Sequence, residues 1–226
     1  MSIRTCYMCE LEATSDEHTP PKCLFPERKD VPDGIDYRVN LITVPSCEEH
    51  NSSKSHDDEY LLHVLSGSFT SSPVGLTQFM SKVRRAFEKV PSKATSFIRR
   101  SEPILLKRHT EDEWEQGAQV IVEAQRLDLV LGNCARALYF HETEQKFVGP
   151  VQVITAFTMY SDTKFQANVT SSVDTTRTYF ASHPPKGENP SVFWYKFEES
   201  ANTAIFFMCF YSSSEVLVRL DKREQP

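Results

Sequence analysis

The chain has no run of about 18 apolar residues, so no stretch of it reads as a membrane-spanning helix. Its opening Met-Ser-Ile-Arg-Thr-Cys lacks the apolar core of a signal peptide. A Gly-rich phosphate loop and a nucleophile elbow are also missing, which leaves no recognisable cofactor motif. Internal repeats and low-complexity tracts are absent. Basic residues are in deficit, since 25 Lys and Arg against 31 Asp and Glu give a net charge of −6, an unfavourable overall balance for a nucleic-acid partner. What is left is a globular chain of 226 residues, long enough for one large domain or two small ones. It is expected to be soluble and cytoplasmic.

Cysteine is present, and its placement is uneven. Four of the six, at 6, 9, 23 and 47, fall in the first quarter of the chain. A disulfide framework would spread further, so the crowding points to a local metal site in a reducing compartment. Cys6-x2-Cys9 and Cys47-x2-His50 are half-sites whose spacing lets each pair of side chains reach one tetrahedral ion. Thiolates with an imidazole select zinc, and four protein ligands make such a site structural. Cys23, Cys134 and Cys209 read as buried thiols acting as small hydrophobes.

Three stretches follow from composition and periodicity. Residues 1–65 are punctuated by prolines, with Val39, Leu41 and Val44 suggesting short extended pieces. Ser46 and Glu49 form a capping-box pattern, which predicts a helix from Cys47 that buries Leu61, Leu62 and Leu65. Residues 66–110 begin with a Ser/Gly/Pro linker, Ser66 to Gly75, and continue as a helix with Leu76, Phe79, Val83, Phe87 and Val90 on one stripe. Residues 111–226 open with an acidic run (Glu111, Asp112, Glu113, Glu115) that predicts one long helix through Trp114, Ile121, Leu127, Leu131, Cys134 and Leu138. Strands are then expected at 151–157, 191–197, 204–211 and 215–220, with Phe193, Tyr195, Phe197, Phe206, Met208 and Phe210 on one face.

Between the half-sites lies Asp16-Glu17-His18-Thr19-Pro20-Pro21-Lys22. Asn40 precedes Leu41, and Asn51 and Lys54 follow His50. In that order and spacing, residues 6–60 resemble the HNH (ββα-metal) endonuclease family. Its zinc-bearing members carry Cys-x2-Cys, an acid-His-x-x-Pro segment, Asn-Leu, and Cys-x2-(Cys or His)-Asn-x2-Lys on a helix. The resemblance implies a zinc-stapled ββα-metal module; with the helical and antiparallel-strand segments read after it, the chain is expected to be α+β. It implies that His18 is the general base, that Glu17 and Asn51 hold a catalytic Mg²⁺ or similar cation, and that Asn40 orients the imidazole. Lys54 is expected to touch a phosphate. Members usually have Asp before the histidine, so whether Asp16 or Glu17 holds the cation stays open. His56 lies five residues past Asn51, about 140° around a helix, and reads as a solvated histidine.

Residues 1–60 hold thirteen Asp or Glu against six Lys or Arg and by themselves repel DNA. From Lys82 to Arg108, however, nine Lys or Arg face two glutamates. Arg84, Arg85, Arg99 and Arg100 are the expected phosphate-tracking residues of that stretch. Bacterial and phage HNH proteins serve in restriction, antiphage defence or mobile elements, with DNA as the expected substrate here. For the C-terminal region, DNA positioning, dimerisation and binding of a protein partner all stay open. Two alternatives stay open: a catalytically silent zinc module that binds nucleic acid or protein, and a phosphodiester enzyme acting on RNA or a nucleotide.

Overall fold

Two short antiparallel strands and a broken helix come first in the computed structural model, which describes residues 4–52, 54–107 and 113–224. Strand β1 (Ser15–His18) pairs with β2 (Thr43–Ser46), with Glu17 opposite Val44 and His18 opposite Thr43. Helices α1 (Glu48–Ser52) and α2 (Ser55–Ser66) follow. The single helix expected from Cys47 is therefore two. Ser46 ends β2, and its hydroxyl donates to Glu17 Oε2 at 3.1 Å. Cys47 takes the cap position instead, its carbonyl accepting the Asn51 N–H at 3.0 Å. Leu61, Leu62 and Leu65 are buried as the pattern implied. Val44 lies in β2, whereas Val39 and Leu41 sit in the preceding loop.

The stretch from Ser66 to Gly75 runs into α3 (Pro73–Gln78), capped by Ser72 Oγ, which accepts the Gly75 N–H at 3.4 Å. A Cβ on Gly75 would lie 2.9 Å from the Tyr211 ring and 1.9 Å from Ser71 Oγ, so this close approach requires glycine. A π-helical turn (Phe79–Val83) joins α3 to α4 (Arg84–Lys89). The wider turn rotates the apolar face, which breaks the expected stripe. Val83 is buried but Leu76 is 54% exposed. Gln78 is buried instead, donating to the carbonyls of Cys23 and Leu24 at 3.0 Å each.

Helix α5 (Pro91–Ile98) leads into a hairpin of β3 (Ser101–Lys107) and β4 (Trp114–Val120). The long helix expected from the acidic run is thus overturned over its first third. Trp114–Val120 finds a full cross-strand partner, and Gly117, a poor helix residue, lets the Leu106 side chain lie over it. Arg108, Glu111 and Asp112 lie outside the described residues. Helix α6 (Ala124–Thr143) keeps the remainder, with Leu127, Leu131, Cys134 and Leu138 all buried.

Four antiparallel strands complete the chain in the order β5-β8-β7-β6: β5 (Val151–Thr155), β6 (Phe193–Glu199), β7 (Thr203–Phe210) and β8 (Ser214–Asp221). The alternation along β6 and β7 turns Phe193, Tyr195, Phe206, Met208 and Phe210 into one buried cluster with α6. Phe207 and Trp194 face the other way, toward Val169 and Val173 of α7 (Thr163–Tyr179). That helix was not expected, because its Ser and Thr hide a helical pattern. Its signal is the cap Asp162, which accepts the N–H groups of Lys164 and Phe165 at 2.8 and 3.0 Å.

The α+β architecture is held together by α6, which packs against α2 and β2 as well as β5 and β8. Its Gly132, Ala135 and Ala137 permit close approach, and burial on nearly all sides suits a helix inside the core. One cluster therefore contains Leu24, Phe25 and Leu61 together with Leu131, Phe206 and Val218. At the β7–β8 turn, Tyr211 (φ 47°) reaches across to donate its hydroxyl to Leu24 O at 2.6 Å. No described helix is long and apolar enough to cross a membrane.

Candidate metal centre and acid–histidine strand

Cys6 and Cys9 stand on a tight knuckle held by Cys6 N–H to Leu11 O at 2.9 Å and Tyr7 N–H to Pro45 O at 2.8 Å. Cys47 and His50 lie where β2 passes into α1. These four residues lie close enough to bind one metal ion, their ligand atoms all within 4.8 Å of one another. His50 presents Nδ1, at 3.1 Å from Cys47 Sγ and 3.6 Å from the sulfurs of Cys6 and Cys9. Cys9 and Cys47 sulfurs are 3.8 Å apart. Bonds of about 2.3 Å to sulfur and 2.0 Å to nitrogen require tetrahedral edges of roughly 3.5 to 3.8 Å, which three of these separations match, so the set is consistent with a structural zinc. Burial raises the Cys6 thiol, but the amides of Met8 and Cys47 outweigh it and bring it below the ordinary thiol value. Burial carries Cys9 up to about 11. Cys6, Tyr7, Val44, Cys47 and Ala137 form a small core around the cluster.

Strand alternation sorts the acid–histidine segment into two faces. Glu17 turns inward, toward α2. Its Oε1 accepts from Lys54 Nζ at 2.8 Å and from the Tyr7 hydroxyl at 3.4 Å, and its Oε2 accepts from Ser46 Oγ. Lys54 is only 8% exposed and also donates to the Tyr7 oxygen at 2.6 Å. Its ammonium is therefore turned away from solvent, not out toward a phosphate as expected. Burial, with the Glu17 charge, pushes the Tyr7 phenol far above its ordinary value, so it stays a protonated donor.

His18 and Asp16 occupy the opposite face. Partial burial lowers the His18 imidazole, and the charges of Lys22 and Arg38 lower it further against the pull of Asp16 and Glu17. The neutral ring is thus favoured. Asp16 is salt-bridged to Arg4. Asn51, on α1, donates to Ser15 Oγ at 2.7 Å, which lays the helix against β1 on the same face as Glu17. Asn40 is exposed in a left-handed turn (φ 52°), and among the described residues its side chain makes no hydrogen bond to His18. The orienting role expected of it has no contact behind it here.

Asp58, one turn beyond Lys54, also belongs to this neighbourhood. Burial and the Glu17 charge, against Lys54, raise its carboxyl from 3.8 to about 7. The fold thus prefers the protonated acid: its contribution to stability is complete below about pH 4 and is lost as pH rises through 7. Asp58→Asn removes that loss. Its melting temperature is expected to match the parent near pH 4 and to exceed it at pH 8, by roughly 2 to 4 kcal/mol of stability. Equal melting curves at both pH values in calorimetry are the contrary result.

The expected nucleic-acid arginines are dispersed. Arg84 pairs with Glu88, and Arg85 makes a two-pronged pair with Asp30 at 2.6 and 2.7 Å. Arg100 pairs with Glu123 and lines a cleft of about 270 Å³ with Tyr60, His63 and Arg126. Exposed Arg99 lies with Ser92 and Thr95 beside a neighbouring shallow cleft. His56 is exposed, as read. Cys23 donates to Asp58 O at 3.4 Å, and burial pushes its thiol, like that of Cys209, up to about 12. Tyr7, Ser46 and Asp58 were missed because their roles depend on which strands pair. The tyrosine's place inside Cys-x2-Cys is the one local cue. No family model matches the chain, nor does any curated protein or solved structure.

Proposed function

We propose that this chain is a metal-dependent HNH endonuclease that hydrolyses phosphodiester bonds, DNA most of all, around a structural zinc on Cys6, Cys9, Cys47 and His50. One observation supports it above the others. The Asn51–Ser15 contact lays α1 along β1, so an asparagine one residue past a metal ligand shares a strand face with Glu17, while His18 is the next residue along. Two paired strands with a helix against them support the ββα-metal reading.

His18, held neutral by its surroundings, takes a proton from a water that attacks phosphorus in line. Glu17 and Asn51 would hold Mg²⁺ or a similar hard cation. Their oxygens fit, since Glu17 accepts from three donors but has about four lone-pair sites, and the Asn51 amide oxygen accepts no hydrogen bond among the described residues. When bound, that ion supplies charge neutralisation for the departing oxygen. Lys54 and Tyr7 hold the Glu17 carboxylate in place by donating to its Oε1. The engagement of Glu17 by Lys54 is also what a silent zinc-bearing binding module would show, and activity separates the two.

Incubation with plasmid, linear duplex, single-stranded DNA and RNA is the test. Cleavage is expected with Mg²⁺ or Mn²⁺, to stop on brief chelation that leaves zinc in place, and to return when Mg²⁺ is restored. A zinc-loaded chain that binds nucleic acid and cuts none of the four substrates overturns the proposal in favour of the silent module.

A further inference from the structure

Lys54 was the cation expected at the phosphate, and its burial against Glu17 and Tyr7 leaves that position to be filled from elsewhere. The face of β1 that carries His18 shows from where. Glu17 and Thr19 point inward. Thr19 is 2% exposed and its hydroxyl donates to Cys134 O. His18 between them points out. The chain then turns through Pro20 and Pro21 into a single 3₁₀ turn, Lys22–Leu24. Its backbone is pinned from several sides: Gln78 Nε2 on Cys23 O and Leu24 O, Lys82 Nζ on Cys23 O at 3.2 Å, and the Tyr211 hydroxyl on Leu24 O. Lys22 alone of that turn is exposed, and among the described residues it has no ion pair or hydrogen bond through its side chain. Arg38 stands next to the same turn. Its Nε donates to Phe25 O at 3.1 Å and its other guanidinium nitrogen is 3.5 Å from Glu27.

We infer that Lys22, backed by Arg38, binds the non-bridging oxygens of the phosphate group whose phosphorus lies opposite His18. The inference rests on His18 being the base of the proposed nuclease, and it names the substrate contact that the acidic first 60 residues otherwise lack. A fixed backbone with a free ammonium suits a phosphate better than a surface lysine already paired, because neither an ion pair nor a loop has to be broken first. Lys22 follows His18 by four residues across Pro20 and Pro21, and Arg38 is tied to Phe25, the residue just past the same turn. Asp16, on the same face of β1 as His18, is already paired with Arg4.

Two measurements on the zinc-loaded full chain test it. In cleavage of plasmid with Mn²⁺, Lys22→Gln is expected to lower kcat/KM by about 10- to 100-fold, and Lys22→Arg to recover most of it. In binding of a short DNA duplex without Mn²⁺, with His18→Ala as the common background, Lys22→Gln is expected to reduce the slope of log affinity against log salt by about 0.9, one phosphate contact. An unchanged slope overturns the inference, whatever the cleavage result. So does a chain that fails to bind duplex at any salt. If the slope falls yet no form of the protein cuts, the phosphate contact stands and the nuclease reading falls. If Lys22→Gln cuts and binds as the parent does while His18→Ala is dead, the nuclease reading stands and Lys22 is an ordinary surface charge.

Discussion

His18→Ala is expected to slow phosphodiester cleavage by on the order of 10² to 10⁴, the usual contribution of a positioned base, with zinc content and melting temperature unchanged. The separation of activity from stability follows from where the ring lies. The inward side chains of Glu17 and of Thr19, just past β1, make the contacts that fasten the strand, whereas the outward imidazole belongs to none of the buried clusters. Truncating it leaves no cavity and strands no buried partner. Cleavage by His18→Ala at the parent rate sets the base elsewhere, with Asp16 the next residue to test on that face. Loss of zinc and structure in the same variant would instead make His18 part of the structural site.

Cys47→Ser carries the other large effect, in the opposite direction: metal, stability and activity are expected to go together. Cys47 is 3% exposed and stands between β2 and α1, its carbonyl starting the helix that carries Asn51. Structural zinc sites contribute about 10 to 16 kcal/mol of apparent binding energy, comparable to the whole stability of a typical domain. Losing a thiolate therefore releases the ion and loosens the knuckle. Tyr7, between Cys6 and Cys9, then loses its hold on Lys54 and Glu17. Elemental analysis is expected to fall from about one zinc per chain to near none, with a lower melting temperature. Full zinc occupancy in Cys47→Ser rules out the four-residue ligand set.

The metal ligands were legible because each half-site is local: two residues three apart on one turn need no knowledge of the fold. The aromatic sheet was legible for a similar reason, a period of two kept through Phe193, Tyr195 and Phe197. What could not be read depends on pairing across distance. Ser15–His18 is wholly polar and shows no strand pattern; it becomes a strand because Thr43–Ser46 lies beside it. Which way Lys54 points is decided by Glu17 and Tyr7, 37 and 47 residues away. Trp114–Val120 looked like the acidic opening of a helix, and only its register with Ser101–Lys107 makes it a strand.

The Tyr211 hydroxyl on Leu24 O joins residues 187 apart. Protein synthesis runs from the amino end, so the turn carrying Lys22 waits for almost the entire chain before its last hydrogen bond can form. The zinc knuckle can close while the ribosome is still extending the polypeptide, but the loop beside His18 is still open at that moment. If the chain is the proposed nuclease, cutting is expected only once the final strands are in place.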